Sequence, residues 1–189
     1  MIFENNDLIP ALDVITRELV GVLPSDLADP NASDKQWTAP VLRCLEGLGH
    51  ARGLMVCCHG CKDNGEWLLD SIWMVRERHE IVLAVESEWG ALALIEDDFD
   101  KLMSVKSPRK LMLFCTKDHQ GADGILRKLE ANMRAYPYHL AGEEYVLLEV
   151  TRPGAFRYHF RVPATGRLDS VSFSQMGEPL RWPWASAGE

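Results

Sequence analysis

The chain has 189 residues, 47% of them hydrophobic and 25% charged, which is typical of one globular domain with a sizeable core. No window approaches the roughly 18 uninterrupted apolar residues of a membrane-spanning helix. The N-terminal segment carries acids where a signal peptide needs positive charge, so we expect a cytoplasmic protein with no membrane partner. The net charge of −8 is a poor match to a protein that coats nucleic acid.

The charge is unevenly divided along the chain. Residues 1–100 contain 7 Lys and Arg against 19 Asp and Glu, a net of −12, whereas residues 101–189 contain 13 against 9, a net of +4. This division leaves room for an acidic site in the first half and a basic surface in the second, although a mixed solvated surface gives similar numbers.

Two helices and a long loop are predicted at the start of the chain. Apolar residues at helical spacing predict an amphipathic helix over residues 7–22. Residues 23–40 are rich in Pro, Asp and Ser and predict a loop. A second helix is predicted over residues 39–48, ending near Gly49.

Three strands follow. Apolar runs predict them over residues 53–59, 66–74 and 80–89, and the short charged segment between the last two predicts an antiparallel hairpin.

Helices and strands then alternate. Residues 95–106 predict a helix with acids in its first turn, residues 110–116 a fully buried strand, and residues 121–136 a second long helix. Two more strands are expected at residues 144–152 and 155–163, and Trp182 and Trp184 could hold the irregular tail against the body.

This order predicts an α/β (α+β) fold. A strand–helix–strand–helix–strand run in the middle implies a mixed sheet that is parallel in part and covered by helices on both faces. We expect residues 1–38 to be an N-terminal extension, residues 39–165 the core domain, and residues 166–189 a tail packed on the core.

The cysteines are predicted to be reduced. Five cysteines are an odd number, and no export signal is expected. The segment Cys57-Cys58-His59-Gly60-Cys61 permits a zinc interpretation, but no second Cys/His pair follows at a suitable distance. A buried strand in which Cys is a small hydrophobic residue is the favoured interpretation.

Three carboxylates stand out in the strand region. Asp70 interrupts the run 66–74, and Glu86 and Glu88 project from the same face of the run 80–89. Half-exposed strands with acids in water would explain them, but the apolar flanking residues favour burial. Buried carboxylates that converge need a proton or a divalent cation, and oxygen ligands suit Mg²⁺ or Mn²⁺.

These residues resemble the PD-(D/E)XK nuclease superfamily. That family has an Asp on one strand, then Glu-x-Glu at the end of the next, which Asp70, Glu86 and Glu88 match with a spacing of sixteen residues. The αβββαβ order over about residues 39–116 is also similar to its core. The resemblance implies a restriction-endonuclease-like mixed sheet, with Asp70 and Glu86 as metal ligands and Glu46 as a further acid on the preceding helix.

One position departs from the family. Glu88 stands where the family usually has Lys, a change that some active members share. In other members the Lys lies on the following helix, where Lys101 or Lys106 could serve, and Lys101 is the preferred candidate because of its place opposite the strand end. The resemblance thus gives Asp70, Glu86, Glu88 and Lys101 as candidate catalytic residues.

The function implied is Mg²⁺-dependent or Mn²⁺-dependent hydrolysis of phosphodiester bonds in nucleic acid, with DNA as the first choice; a homodimer is compatible with it. One alternative is a catalytically inactive binding or regulatory module on the same fold. Another is a partner protein whose acidic half covers a basic protein surface. The alternating aromatic and basic residues of 156–162 fit either a nucleic-acid surface or an ordinary strand.

Overall fold

Buried runs of β-branched and aromatic residues form one mixed sheet in the computed structural model of the chain. The structure describes residues 11–23, 34–61, 65, 67–116, 122–151 and 154–182. The strands in these segments are β1 Met55–Cys58, β2 Ser71–Val75, β3 Glu80–Glu88, β4 Arg109–Cys115, β5 Glu144–Val150, β6 Ala155–Arg161 and β7 Ser174–Gln175. The α-helices are α1 Leu12–Val22, α2 Asp34–His50, α3 Leu92–Ser104 and α4 Ala122–Ala135.

The strands lie in the sheet in the same order as in the chain. β1, β2 and β3 pair antiparallel, β3, β4 and β5 pair parallel, and β6 and β7 return antiparallel. The helices α3 and α4 are the crossovers of the two parallel connections. The mixed, partly parallel α/β (α+β) sheet predicted from the sequence is therefore confirmed.

Each face of the sheet is covered by a pair of helices. α1 and α2 pack on one face, where Ile15, Leu19 and Leu45 are fully buried. α3 and α4 pack on the other face through Phe99 and Leu129, which are also fully buried. The resulting three layers have one apolar core on each side of the sheet.

Helix α2 begins earlier than the sequence predicted. Residues 34–38 were predicted as loop, but they belong to the helix, and Pro40 lies inside it. The reason is tertiary: Trp37 is 8% exposed and meets the ring of Trp89 edge to face, and Thr38 Oγ1 accepts a hydrogen bond from Trp89 Nε1. The expected domain boundary after residue 38 falls inside this helix.

The second predicted strand is shorter than expected. It begins at Ser71, so Asp70 precedes β2 and does not interrupt it, and Leu68 is 61% exposed. The backbone N–H of Asp70 is bonded to the Glu86 side chain and not to a neighbouring strand. Helix α3 begins at Leu92, three residues before its predicted start, so the acids expected in its first turn lie further along.

The ends of the chain are described in part. The predicted residues 7–10 of the first helix, residues 24–33 of the loop, and Trp184 lie outside the described residues. Trp182 packs on the body as predicted: it is 1% exposed and donates its ring N–H to the carbonyl oxygen of Thr151. Among the described helices, none combines the length and the apolar character required to cross a membrane.

A buried polar network links the sheet to the helices α3 and α4 where β4 and β5 begin. Lys110 Nζ lies 3.1 Å from Glu143 Oε1, 2.9 Å from Tyr145 Oη and 3.3 Å from the Met103 carbonyl oxygen at the end of α3. His139 makes the matching contact to α4, with 2.9 Å between its Nε2 and the Met133 carbonyl oxygen. Burial lowers the pKa of Lys110, which its charged neighbour Glu143 opposes.

Replacing Glu143 with Ala is expected to destabilise the fold by about 3–5 kcal/mol, because it leaves the Lys110 ammonium buried without its carboxylate. Urea unfolding measures the free energy. The control is Glu96→Ala, which breaks an ion pair with Lys128 whose side chain is 52% exposed, and should cost less than about 1 kcal/mol. Equal losses in the two variants would contradict the buried pair.

Candidate functional site

The end of β3 and the residue before β2 bring two carboxylates together. Asp70 donates its backbone N–H to Glu86 Oε2 at 3.2 Å. Asp70 Oδ2 in turn accepts hydrogen bonds from the backbone N–H of Ser87 at 2.9 Å and from its Oγ at 2.6 Å. The two strand ends are thus joined by side chain to backbone contacts in both directions.

Helix α3 adds a cation and a third carboxylate. Lys101 Nζ lies 3.6 Å from Glu86 Oε1 and 2.6 Å from Asp98 Oδ1. The Glu86 side chain is 3% exposed and the Asp98 side chain 15%, whereas the Lys101 side chain is 44% exposed. The ammonium group therefore lies at the boundary between the buried acids and solvent.

Burial and the charges of neighbouring carboxylates raise the pKa of two acids of the cluster, Glu86 and Asp70. Burial, followed by the charges of Asp70 and Asp98, raises the pKa of Glu86 to about 8, against the smaller effects of the Asp70 N–H and Lys101. Burial also raises the pKa of Asp70, although the Ser87 hydrogen bonds oppose it. The pKa of Lys101 is raised, first by its hydrogen bond to Asp98.

A cavity of about 600 Å³ lies beside this cluster. Asp70 forms part of its wall, and Glu46 and Arg43 face it from α2. The turn after β1, from Cys58 to Cys61, also lines this cavity. The structure therefore places two of the predicted acids, Asp70 and Glu46, on the lining of one cavity.

The remaining candidates have other surroundings. Glu88 Oε1 accepts a hydrogen bond from the Gly90 backbone N–H at 2.5 Å, so this carboxylate makes a local contact with the backbone two residues further along. Lys106 is exposed and lines a second cavity with Trp67 and Leu140, beyond the far end of α3. Of the two lysines proposed from the sequence, Lys101 is the one that the structure places beside Glu86.

Sequence reasoning missed two residues of the cluster. Asp98 was interpreted as one of several acids that favour the start of a helix, but α3 starts earlier and Asp98 lies in its second turn, beside Lys101. A signal was available, because Asp98 and Lys101 have the i, i+3 spacing of a helical ion pair. Ser87 gave no comparable signal, since its role depends on Asp70 lying across from it.

The residues of the cluster suit a divalent cation in one respect. Glu86 Oε1 is buried and accepts no hydrogen bond from the described residues, and such an oxygen next to a second carboxylate is a natural cation ligand. The described segments contain no group of three or more His, Cys, Asp or Glu side chains arranged to hold a metal. Mg²⁺ is commonly held by one or two carboxylates and several waters.

Two other sequence interpretations can be compared with the structure. Cys58 and Cys61 form a disulfide, so the prediction of reduced thiols throughout was wrong for this pair; Cys44, Cys57 and Cys115 are free. In β6, Arg157 is buried against Asp13 and Tyr158 donates to Glu149 at 2.8 Å, which favours the interpretation as an ordinary strand.

No protein-family model matches the chain, and no curated protein matches it. The function is therefore inferred from the residues of the site.

The raised pKa of Glu86 makes stability depend on pH. Because its folded-state pKa of about 8 lies above the ordinary 4.5, the protein without divalent ions should lose stability as pH rises from about 4.5 to about 8. One pKa unit corresponds to about 1.4 kcal/mol, so the loss is on the order of 2–4 kcal/mol. Glu86→Gln should remove this loss, as measured by urea unfolding at pH 5 and pH 8.

The matched control is Glu80→Gln, at the other end of the same strand, where the side chain is 28% exposed and pairs with Arg78. This variant should follow the wild-type pH dependence. A wild-type profile that stays parallel to that of Glu86→Gln would show that the Glu86 carboxylate is not held in the buried state described.

Proposed function

We propose that this protein is a Mg²⁺-dependent nuclease that hydrolyses phosphodiester bonds of nucleic acid at the cluster around Glu86. The observation that carries the proposal is that Asp70, Glu86 and Lys101, which are distant in sequence, meet at one place, and that Asp70 also lines a cavity. Two carboxylates and an ammonium group are the set that metal-assisted phosphodiester hydrolysis needs.

The order of elements supports the more specific fold proposed with this function. From α2 to β4 the chain runs helix, three strands, helix, strand, which is the αβββαβ order of the PD-(D/E)XK core that the sequence resembles. Asp70 precedes the second of these strands and Glu86 lies near the end of the third. We therefore propose a restriction-endonuclease-like core with α1 and β5 to β7 added at its two sides.

Asp70 and Glu86 are the proposed metal ligands, and Glu46, which lines the same cavity as Asp70, is a further candidate. A bound Mg²⁺ or Mn²⁺ would polarise the phosphodiester and lower the pKa of a bound water. The cluster has three carboxylates against one ammonium group when all are ionised, and this excess of negative charge favours a divalent cation over further protonation.

Lys101 is proposed to stabilise negative charge on the phosphoryl oxygens. Its pKa is raised, so the side chain stays an ammonium ion near neutral pH and acts as a charge rather than as a base. Asp98 positions it through a 2.6 Å contact, and the half-exposed side chain has room to turn toward a substrate. Glu88 stays a candidate for placing the attacking water.

A second candidate function is an inactive binding module on the same fold. It is favoured by Glu88 at the position of the motif Lys, and by the pairing of Lys101 with Asp98, which leaves its charge already compensated. Such a protein would keep the cavity without hydrolysing a substrate.

Cleavage assays test the nuclease directly. Plasmid, single-stranded DNA and RNA are incubated with the protein in Mg²⁺ or Mn²⁺, and we expect the double variant Asp70→Ala/Glu86→Ala to be inactive. Lys101→Ala should lose about 10²–10³-fold, the cost of removing one charge-stabilising donor. Lys106→Ala, two residues after the end of the same helix, should keep wild-type activity.

Cleavage that survives in the Asp70→Ala/Glu86→Ala protein would overturn the assignment. Calorimetric titration with Mg²⁺ separates the two candidates. Binding without cleavage of any of the three substrates supports the inactive module, and binding that Asp70→Ala/Glu86→Ala abolishes places the metal at this pair.

A further inference from the structure

The turn after β1 is built to hold two sulfur atoms together. Cys58 is the last residue of β1, and the Cys61 backbone N–H donates to the Cys58 carbonyl oxygen at 3.2 Å. Gly60 has a φ of +74°, a backbone conformation that residues other than glycine rarely adopt. The turn places the two Cα atoms 5.2 Å apart, within the range of a disulfide, and Cys58 and Cys61 are bonded.

This turn forms part of the wall of the cavity that Asp70 also lines. Cys58, His59, Gly60 and Cys61 all line it, together with Glu46 on α2. Cys58 itself is 1% exposed and belongs to the apolar core between α2 and the sheet, whereas Cys61 is half-buried. One sulfur is therefore anchored and its partner is accessible from the cavity side.

The disulfide is expected to affect the turn more than the stability of the whole fold. The disulfide closes a segment with a sequence separation of three, and short closed loops gain less stability from a disulfide than long ones. Three other cysteines are free, so the chain is not a fully oxidised disulfide scaffold. Reduction is thus expected to release the turn and leave the fold intact.

We propose that Cys58 and Cys61 are a thiol–disulfide exchange site whose redox state sets the shape of the cavity. The reaction partner is a small-molecule disulfide. The thiolate of Cys61 attacks one sulfur of this disulfide, so that Cys61 and that sulfur form a mixed disulfide and the other sulfur leaves as a thiolate. The thiolate of Cys58 then attacks Cys61 Sγ and expels the second small-molecule thiolate. Two protein thiols and one disulfide become one protein disulfide and two thiols, and the two thiol protons pass to the leaving groups.

The consequence for the site follows from the shared wall. With the disulfide closed, the Cys61 end of the turn is held beside the end of β1. With it open, Cys61 and its neighbours can move relative to α2, which changes the space in front of Asp70. That this movement regulates catalysis rests on the proposed function, but the exchange chemistry does not.

Equilibration with glutathione tests the exchange itself. The native full-length protein is incubated in buffers of varied reduced and oxidised glutathione, the thiols are trapped by alkylation, and peptide mass spectrometry measures the reduced fraction of each cysteine. We expect Cys58 and Cys61 to titrate together along a reversible two-electron curve. Cys57→Ser is the matched control, because it removes the neighbouring free thiol and should leave this curve unchanged.

Hydrogen exchange tests the effect on the cavity. In the reduced protein we expect the amides of residues 58–61 to exchange several-fold faster, while the amides of β4 and β5 keep their protection. Cys61→Ser should show the fast exchange in both redox buffers, and Cys58→Ala serves as the second variant in case a polar substitution disturbs the turn.

Each outcome decides the proposal without reference to nuclease activity. A pair that stays reduced, or a disulfide that glutathione does not open in the folded protein, overturns the exchange site. Reversible exchange with unchanged hydrogen exchange at residues 58–61 overturns the coupling to the cavity. If both measurements agree with expectation but no nucleic acid is cleaved, the proposed function fails and the redox site stands.

Discussion

The buried carboxylate of Glu86 constrains the structure around it more than any other single group. β3 is paired on both sides and covered by helices on both faces, so the alternation of its side chains cannot send position 86 into water. Its partners must come from outside the strand. The N–H of Asp70 provides one, and the ammonium group of Lys101 on α3, 3.6 Å away, provides the other.

The buried charged groups at the two ends of the parallel strands differ in how fully they are hydrogen-bonded. At the end where β4 and β5 begin, Lys110 has three hydrogen-bond partners in Met103, Glu143 and Tyr145, and the network also holds the last turns of α3 and α4. At the end where β3 finishes, Glu86 Oε1 accepts no hydrogen bond from the described residues and a cavity opens beside its neighbour Asp70. A satisfied network stabilises the fold, whereas a buried carboxylate oxygen without a hydrogen bond is the feature on which the proposed ligand site depends.

Sequence patterns predicted the parts of this arrangement that depend on local order. The apolar residues that flank Glu86 placed it in a buried strand, and the run of strands and helices predicted the mixed sheet, because burial of a continuous apolar strand requires covered faces. The extent of α2 was missed, since the contact of Trp37 with Trp89 outweighs the loop composition around it. The disulfide was missed as well, because the count of cysteines says nothing about a turn that brings two of them to 5.2 Å.

In the proposed nuclease, charge balance would link the metal, the lysine and the substrate. With Asp70, Glu86 and Asp98 ionised beside Lys101, the cluster has a net charge of −2 and would repel the phosphate of a nucleic acid. Protonating Glu86 removes one negative charge, but it also removes a proposed ligand. A divalent cation neutralises the cluster and keeps both carboxylates, so an anionic substrate and the cation would favour each other's binding, and each would raise the other's affinity by the same factor. On this proposal, an acidic chain would bind a nucleic acid at this place together with a divalent cation.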